Sequence, residues 1–334
     1  MITSLDAEFA LVTPAFAGGA NPQAGPAALR VEGIIGQLRR WWWAAAPLQE
    51  GYTERVANQF ANQLFGAAGK KDTLDGQGAV LITLTRNSCD SKTKTALTLG
   101  PVKELFGPLY DNRTQALAPG SFTLRFVLRP GCDPTLLTGL ARSLRLWGLL
   151  GGFGAGQNRG FGSVSLRQMT GTNYDVPEFT PPDSLTDYKE AIKGVIGNWD
   201  TLPATGKNQT FDAFTRNAEG LSATIHAMVM PAAADGLAVL SKVSSDAVAV
   251  NVARQGAVIN KYGWLEPHTI KIFSRKGARN PSPYHFHVAP LGAGFILLVT
   301  TLIRDGGVAA AISEIEGPAK HNLFADLGLT KIWP

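Results

Sequence analysis

With 334 residues and 45% hydrophobic content, the chain has enough length and apolar surface for about two folded units, and its longest apolar runs, near Phe295–Ile303, are too short to cross a bilayer. Asp6 and Glu8 break the first apolar segment, which argues against a secretory signal. Two cysteines, Cys89 and Cys132, without C-x-x-C spacing support neither a disulfide framework nor a zinc site, so a reduced, cytoplasmic protein is expected. Of 31 Lys/Arg and 26 Asp/Glu, residues 1–170 hold 17 and 11 (+6) and residues 171–334 hold 14 and 15 (−1). A basic bias confined to one half is an electrostatic footprint for a polyanion.

A strand is expected over Ser4–Val12, followed by a Pro/Gly/Asn loop, Thr13–Pro22, and a helix over Leu29–Ala46. At about 100° per residue, Val31, Ile34, Ile35, Leu38, Trp42 and Ala45 share one face of that helix, with Arg39, Arg40 and Trp43 toward the other. Trp41 and Trp42 read as core. Trp43, beside two arginines, reads either as core or as a ring on which a base can stack. A second helix, Glu54–Phe65, stops at Gly66. Strands are expected at Ala79–Arg86 and Ser121–Arg129, the latter alternating Phe122, Leu124, Phe126 and Leu128 against Thr123, Arg125, Val127 and Arg129. Between them, Asn87–Ala118 reads as a long irregular insertion.

Asp133 and Pro134 suit the N-cap and first position of a helix that turns Leu136, Leu137, Leu140, Leu144 and Trp147 inward. Arg142 and Arg145 then point outward, as a solvated face or as a subunit or RNA contact. The helix runs into Gly151–Gly162, six glycines in twelve residues, and then a strand at Ser163–Arg167. Six residues without side chains are not expected to build a core; glycine supplies positive φ and bare N–H groups that an anionic backbone can approach. Arg159 adds a cation. A dinucleotide fingerprint fails here, because it needs glycine where Gln157 or Arg159 stands and lies between strand and helix; a P-loop fails because Gln157-Asn158 replaces Lys-Ser/Thr. A plain turn stays open, but an arginine and two amides among the glycines favour an RNA-backbone cradle.

The order strand–helix–strand–strand–helix–strand predicts a ferredoxin-like α+β unit, its sheet covered by helices on one face and free on the other, as in RNA-recognition modules. Thr170–Asp183 reads as a linker, dividing the chain into units 1–170 and 171–334. The second unit reads as a degraded copy, with a strand near Ser222–Met230, a helix near Asp235–Arg254 and strands at Tyr284–Val288 and Gly294–Ile303. A basic hinge, Ser274–Pro283, precedes the last two. No residue-level repeat joins the halves. The fold class is therefore α+β, with tandem ferredoxin-like (RRM-like) domains around a glycine-rich loop.

Three signatures occur in order: Thr13-Pro14 leading to EGIIGQLRRWWWAA, then GGFGAGQNRGFGSV, then KGARNPSPYHFHV. Together they resemble the RAMP superfamily of CRISPR-associated RNA-binding proteins and, more narrowly, the first subunit family of the Cmr (type III-B) effector complex. The glycine loop marks the superfamily; the Trp run and the Arg…Ser-Pro segment carry the narrower resemblance. Ala44 and Arg279-Asn280-Pro281-Ser282 depart from that family's usual Arg and Arg-Arg-Ala-Ser. The resemblance implies an antiviral subunit that holds the distal, 3′ part of a guide RNA and its target RNA, abutting other RAMP subunits and no membrane. Candidate RNA-binding residues are Asn21, Arg30, Arg39, Arg40, Trp43, Gly154, Gly156, Gln157, Asn158 and Arg159 in the first half, and Arg275, Lys276, Arg279 and Ser282 in the second.

Some RAMP proteins process guide precursors, commonly with a histidine in the first domain, and metal-independent RNA cleavage needs a general base and an acid. No histidine precedes His226 here. His285 and His287 share a strand face, but H-x-H lacks an evident third metal ligand. Asp72, Asp75 and Asp111 read as loop caps, although backbone RAMP subunits cut target RNA with such an aspartate. The expectation is a non-catalytic RNA-binding subunit without cofactor or metal. A guide-processing endoribonuclease and a structural cap without RNA affinity of its own are the alternatives.

Overall fold

The computed structural model describes residues 2–18, 25–45, 54–67, 76–106, 110, 112–197, 213–215, 223–245, 284–303 and 328–333. The first unit contains β1 (Ser4–Leu11), α1 (Val31–Ala45), α2 (Glu54–Phe65), β2 (Val80–Asn87), β5 (Gly120–Leu128), α4 (Thr135–Leu150) and β6 (Val164–Thr172). Its antiparallel sheet has the order β2-β5-β1-β6, so the first strand lies centrally between the third and fourth of the unit. Alternation sets the faces. Leu5, Ala7, Phe9, Phe122, Leu124 and Phe126 are buried beneath α1 and α4, while Asp6, Glu8, Thr123, Arg125, Gln168 and Thr170 share the opposite face.

The insertion between β2 and β5 is more ordered than its sequence suggests. It holds β3 (Ser91–Thr93) paired with β4 (Gln115–Leu117), a 3-10 turn at Gly100–Val102, and α3 (Lys103–Phe106). Its buried Leu99, Val102 and Leu105 recur every third residue, but over elements of only three and four residues, too short for a pattern to stand out. They pack on Val239, Leu240 and Val243 of the second unit.

The second unit contains β7 (Thr224–Met230), α6 (Gly236–Ser244), β8 (Tyr284–Leu291), β9 (Gly294–Thr301) and β10 (Thr330–Trp333), in the sheet order β10-β7-β9-β8. That order repeats the first. One face of this sheet, through Tyr284, Phe286, Val288, Leu297 and Val299, packs on α6 and the insertion. The other, through Ile225, Ala227, Ala289, Ile296 and Leu298, joins the core of α1 and α4. Both faces of β8 are therefore buried. An unexpected helix, α5 (Leu185–Ile196), follows the Pro-rich stretch. A reciprocal Ser184–Asp187 capping box starts it, and Tyr188 donates from its hydroxyl to Leu149 O at 2.6 Å, fastening it to α4.

Among the described residues no helix is long and apolar enough to cross a membrane, and no group of three or more His, Cys, Asp or Glu stands close enough to hold a metal ion.

Candidate nucleic-acid interface

The glycine loop lies at the seam between the two sheets. It opens at the C-terminus of α4, where Gly151 is extended (φ −120°), and folds back so that Gly152 bridges Ser163 and Phe153 N donates to Gly162 O at 3.0 Å. The Thr13–Phe16 segment is laced through it: Gly162 N donates to Pro14 O at 2.9 Å and Ala155 N to Phe16 O at 3.0 Å. From the other side, Arg159 forms a parallel bridge with Phe286 of β8, and Phe286 N donates to Asn158 O at 3.0 Å.

Two buried hydroxyls lock this junction. Thr13 Oγ1 donates to Gly160 O at 2.6 Å and accepts from Ser163 N at 2.9 Å. Ser163 Oγ donates to Gly160 O at 2.8 Å and accepts from Val288 N at 3.0 Å. Both hydroxyls thus act as donor and acceptor at once, which satisfies three buried backbone groups, Gly160 O, Ser163 N and Val288 N.

The glycines have two jobs, and the sequence reading identified one. Gly154, Gly156, Gly160 and Gly162 have φ of +87°, +77°, +85° and +64°, the left-handed region that glycine enters without penalty. The expectation that the loop does not build a core is corrected. A Cβ at Gly162 would stand 2.0 Å from Phe153 O, one at Gly152 2.7 Å from Gly162 O, and one at Gly151 2.4 Å from Trp41 Nε1. These glycines allow close approach within the buried seam.

Helix α1 delivers its two arginines to different places. Arg40 enters the seam, where Nη1 donates to Asn158 Oδ1 at 3.0 Å and Nη2 stands 2.9 Å from His285 Nε2. The His285 ring is 4% exposed and packs edge-on against Trp41, with centroids 6.3 Å apart. Arg39 turns away: it donates to Asn62 Oδ1 at 3.1 Å and to Gly66 O, and its guanidinium lies 5.7 Å from the Phe65 centroid. Burial lowers its pKa from the ordinary arginine value. Trp43 is half-buried against Ala57 and Ala213, whereas Trp41 and Trp42 are buried, the latter donating to Ala57 O at 3.3 Å.

Of the candidates, then, Arg40, Gln157, Asn158, Arg159, Gly154 and Gly156 converge at the seam, and Arg39 and Trp43 lie against α2 instead. Arg30 is exposed just before α1. Asn21, Arg275, Lys276, Arg279 and Ser282 lie outside the described residues, as do Asp72, Asp75 and Asp111. Thr13, Ser163 and His285 complete the junction. Thr13 and His285 stood within quoted signatures, but their partners are distant in sequence, so only the fold shows what they do.

One further expectation changes. Arg145 is not a solvated residue: it donates to Pro177 O at 2.9 Å and to Glu178 O, with its guanidinium 5.8 Å from the Phe179 centroid. The open face of the first sheet lacks the aromatic platform of an RNA-recognition module among its described residues; Arg125 forms a bidentate pair with Asp6 there, both contacts 2.8 Å, beside Glu8.

Residues 8–165 match the RAMP superfamily. No curated protein matches it. Among solved structures, the fold is similar to the apo crystal structure of Cmr1 from Pyrococcus furiosus, at 17% identity and a TM-score of 0.63, covering 99% of this chain and 98% of that one. It is also similar to a chain in a cryo-EM structure of Type III-B Cmr-beta bound to cognate target RNA, at 13% identity and a TM-score of 0.55, covering 94% and 99%. A second Cmr-beta structure, with target RNA, AMPPnP and ssDNA, gives 15% identity, the same TM-score, and coverage of 94% and 98%.

Proposed function

We propose that this chain is a non-catalytic RNA-binding subunit of a cytoplasmic type III-B effector complex, holding the 3′ region of a guide RNA together with its target RNA in antiviral defence. The observation that carries the reading is the seam. Arg40 is fixed between Asn158 and His285 beside the glycine loop and Arg159, and full-length likeness to a subunit of an RNA-bound complex supports it. A guanidinium anchored on two sides meets a phosphate with little further loss of side-chain entropy. The repeated strand order supports tandem ferredoxin-like units, with neighbouring RAMP subunits as partners.

The endoribonuclease alternative loses ground for a physical reason. The histidine absent from the first half in sequence is brought to the glycine loop in space, yet it is buried and its Nε2 faces a guanidinium. An imidazole so placed orients Arg40; it is not poised to take a 2′-OH proton. Incubating the purified chain with guide RNA in EDTA, then recovering the RNA on a gel, tests the reading. Intact, retained RNA is the expected result; specific cleavage overturns the non-catalytic assignment, and no retention at low salt favours a purely structural cap.

A further inference from the structure

We propose that a groove beside α2 is a second RNA site, one that reads the base edges of an unpaired strand; the proposal rests on the RNA-binding reading above and extends it to sequence preference. The groove has a volume of about 920 Å³ and lies between α2, the entry to β2 and the junction of β5 with α4. That is at the upper end of ligand-site volumes and roomy enough for a nucleotide.

Its lining is unusual for an exposed helix face. Helix α2 buries Ala57, Ala61 and Leu64 and turns Asn58, Gln59, Asn62 and Gln63 the other way, with Gln77 facing them across the groove. Asn62 is held by Arg39 through its Oδ1. Among the described residues, the side-chain amides of Asn58, Gln59, Gln63 and Gln77 have no protein partner. A carboxamide offers donor and acceptor together, and bidentate pairing of Asn or Gln with a base edge is the chemistry that distinguishes one base from another.

The charges agree. Among the described residues, Arg55 and Arg129 flank the groove against one carboxylate, Asp133, which is already engaged by Thr135 N at 2.9 Å. Arg129 is held by Gly78 O at 2.8 Å, so its cation is fixed at the rim. Among the described residues the apolar floor is small, Ala79, Cys132 and Leu136, unlike the aromatic, charge-poor centre of a protein interface. Unpaired RNA is the form that exposes base edges to such a surface.

Fluorescence anisotropy of the full chain with labelled homopolymers of A, C and U, each about ten nucleotides long, tests this. The wild type is expected to favour one homopolymer over the weakest by about tenfold or more, the discrimination a bidentate amide contact supplies. Asn58→Ala/Gln59→Ala/Gln63→Ala, three substitutions at helix positions that alanine suits, is expected to erase that preference with an unchanged melting temperature. Arg55→Ala should weaken all three RNAs alike and lower the salt slope by about 1. Equal binding of the three RNAs by wild type, or a preference that survives the triple substitution, overturns the groove and leaves the seam standing. Failure of the wild type to bind any RNA overturns both.

Discussion

Arg40 Nη2 stands 2.9 Å from His285 Nε2, although 245 positions separate the two residues in sequence. A guanidinium has no lone pair to offer, so the ring nitrogen accepts and the imidazole is neutral, with its proton on Nδ1. Arg40 is thereby held on one side by the second unit and on the other by Asn158 of the glycine loop.

Removing that acceptor should loosen Arg40 and weaken RNA binding. A hydrogen bond to a charged group is worth about 1.5–3 kcal/mol. His285→Ala is therefore expected to reduce affinity about tenfold or more, and His285→Gln, which keeps an acceptor, to recover most of the loss. Titration of both variants with guide RNA checks this; equal loss in the two would contradict a positioning role.

Wide rings on α1 depend on glycines opposite them. A Cβ at Gly139 would lie 2.3 Å from Trp42 Cζ3, whereas one at Gly36 meets nothing within 4 Å. Gly139→Ala should destabilise by about 1–3 kcal/mol through overpacking. Gly36→Ala should be neutral or stabilise by roughly 0.5–1 kcal/mol, since it removes a glycine from a helix. Denaturant midpoints of the pair decide, and the same sign in both would contradict the packing account.

Much of the scaffold was legible because it is periodic. Phe122, Leu124, Phe126 and Leu128 announce β5, and the leucines from Leu136 to Leu144 announce α4; both lie where their patterns put them. The sequence limits were less secure. Helix α4 begins at Thr135, with Asp133 accepting from Thr135 N, so the expected cap residue serves one turn-position earlier than an N-cap. Helix α5 was missed just after a polar, Pro-rich stretch, although Ser184 and Asp187 carried its starting signal. Half of the seam was beyond local pattern altogether. Arg40 and Asn158 were singled out for charge and motif, but nothing near His285 in sequence points to α1, because strand pairing and sheet packing, not spacing, bring them together.

Acid should destabilise the fold through two buried histidines. Burial pushes His287 down to about 3, with the Gly151 backbone acting the other way, and burial followed by Lys331 pushes His226 down to about 4. Their ordinary value is about 6.5, so below that pH the unfolded chain takes up protons that the folded chain refuses. The stability is fully present above about pH 6.5 and falls as the pH drops toward those lower values, by up to about 1.4 kcal/mol per pH unit for each histidine. Among the described residues no group meets hydrogen-bond geometry at either His287 ring nitrogen, the Gly151 backbone lying near without doing so, so His287→Leu is expected to fold and to shallow the decline by one proton. Urea midpoints at pH 7 and pH 5 measure it; an unchanged slope contradicts this source of acid sensitivity.

The central claim, that the seam grips RNA phosphates, is tested most directly by the salt dependence of guide-RNA binding in wild type and Arg159→Glu. Counterion release makes log affinity fall linearly with log salt, with a slope set by the number of phosphates neutralised. The account predicts salt-sensitive binding by wild type, with affinity lowered at least tenfold and a shallower slope for Arg159→Glu. Equal affinity and equal slope in the two proteins would show that RNA, if held at all, is held elsewhere on the chain.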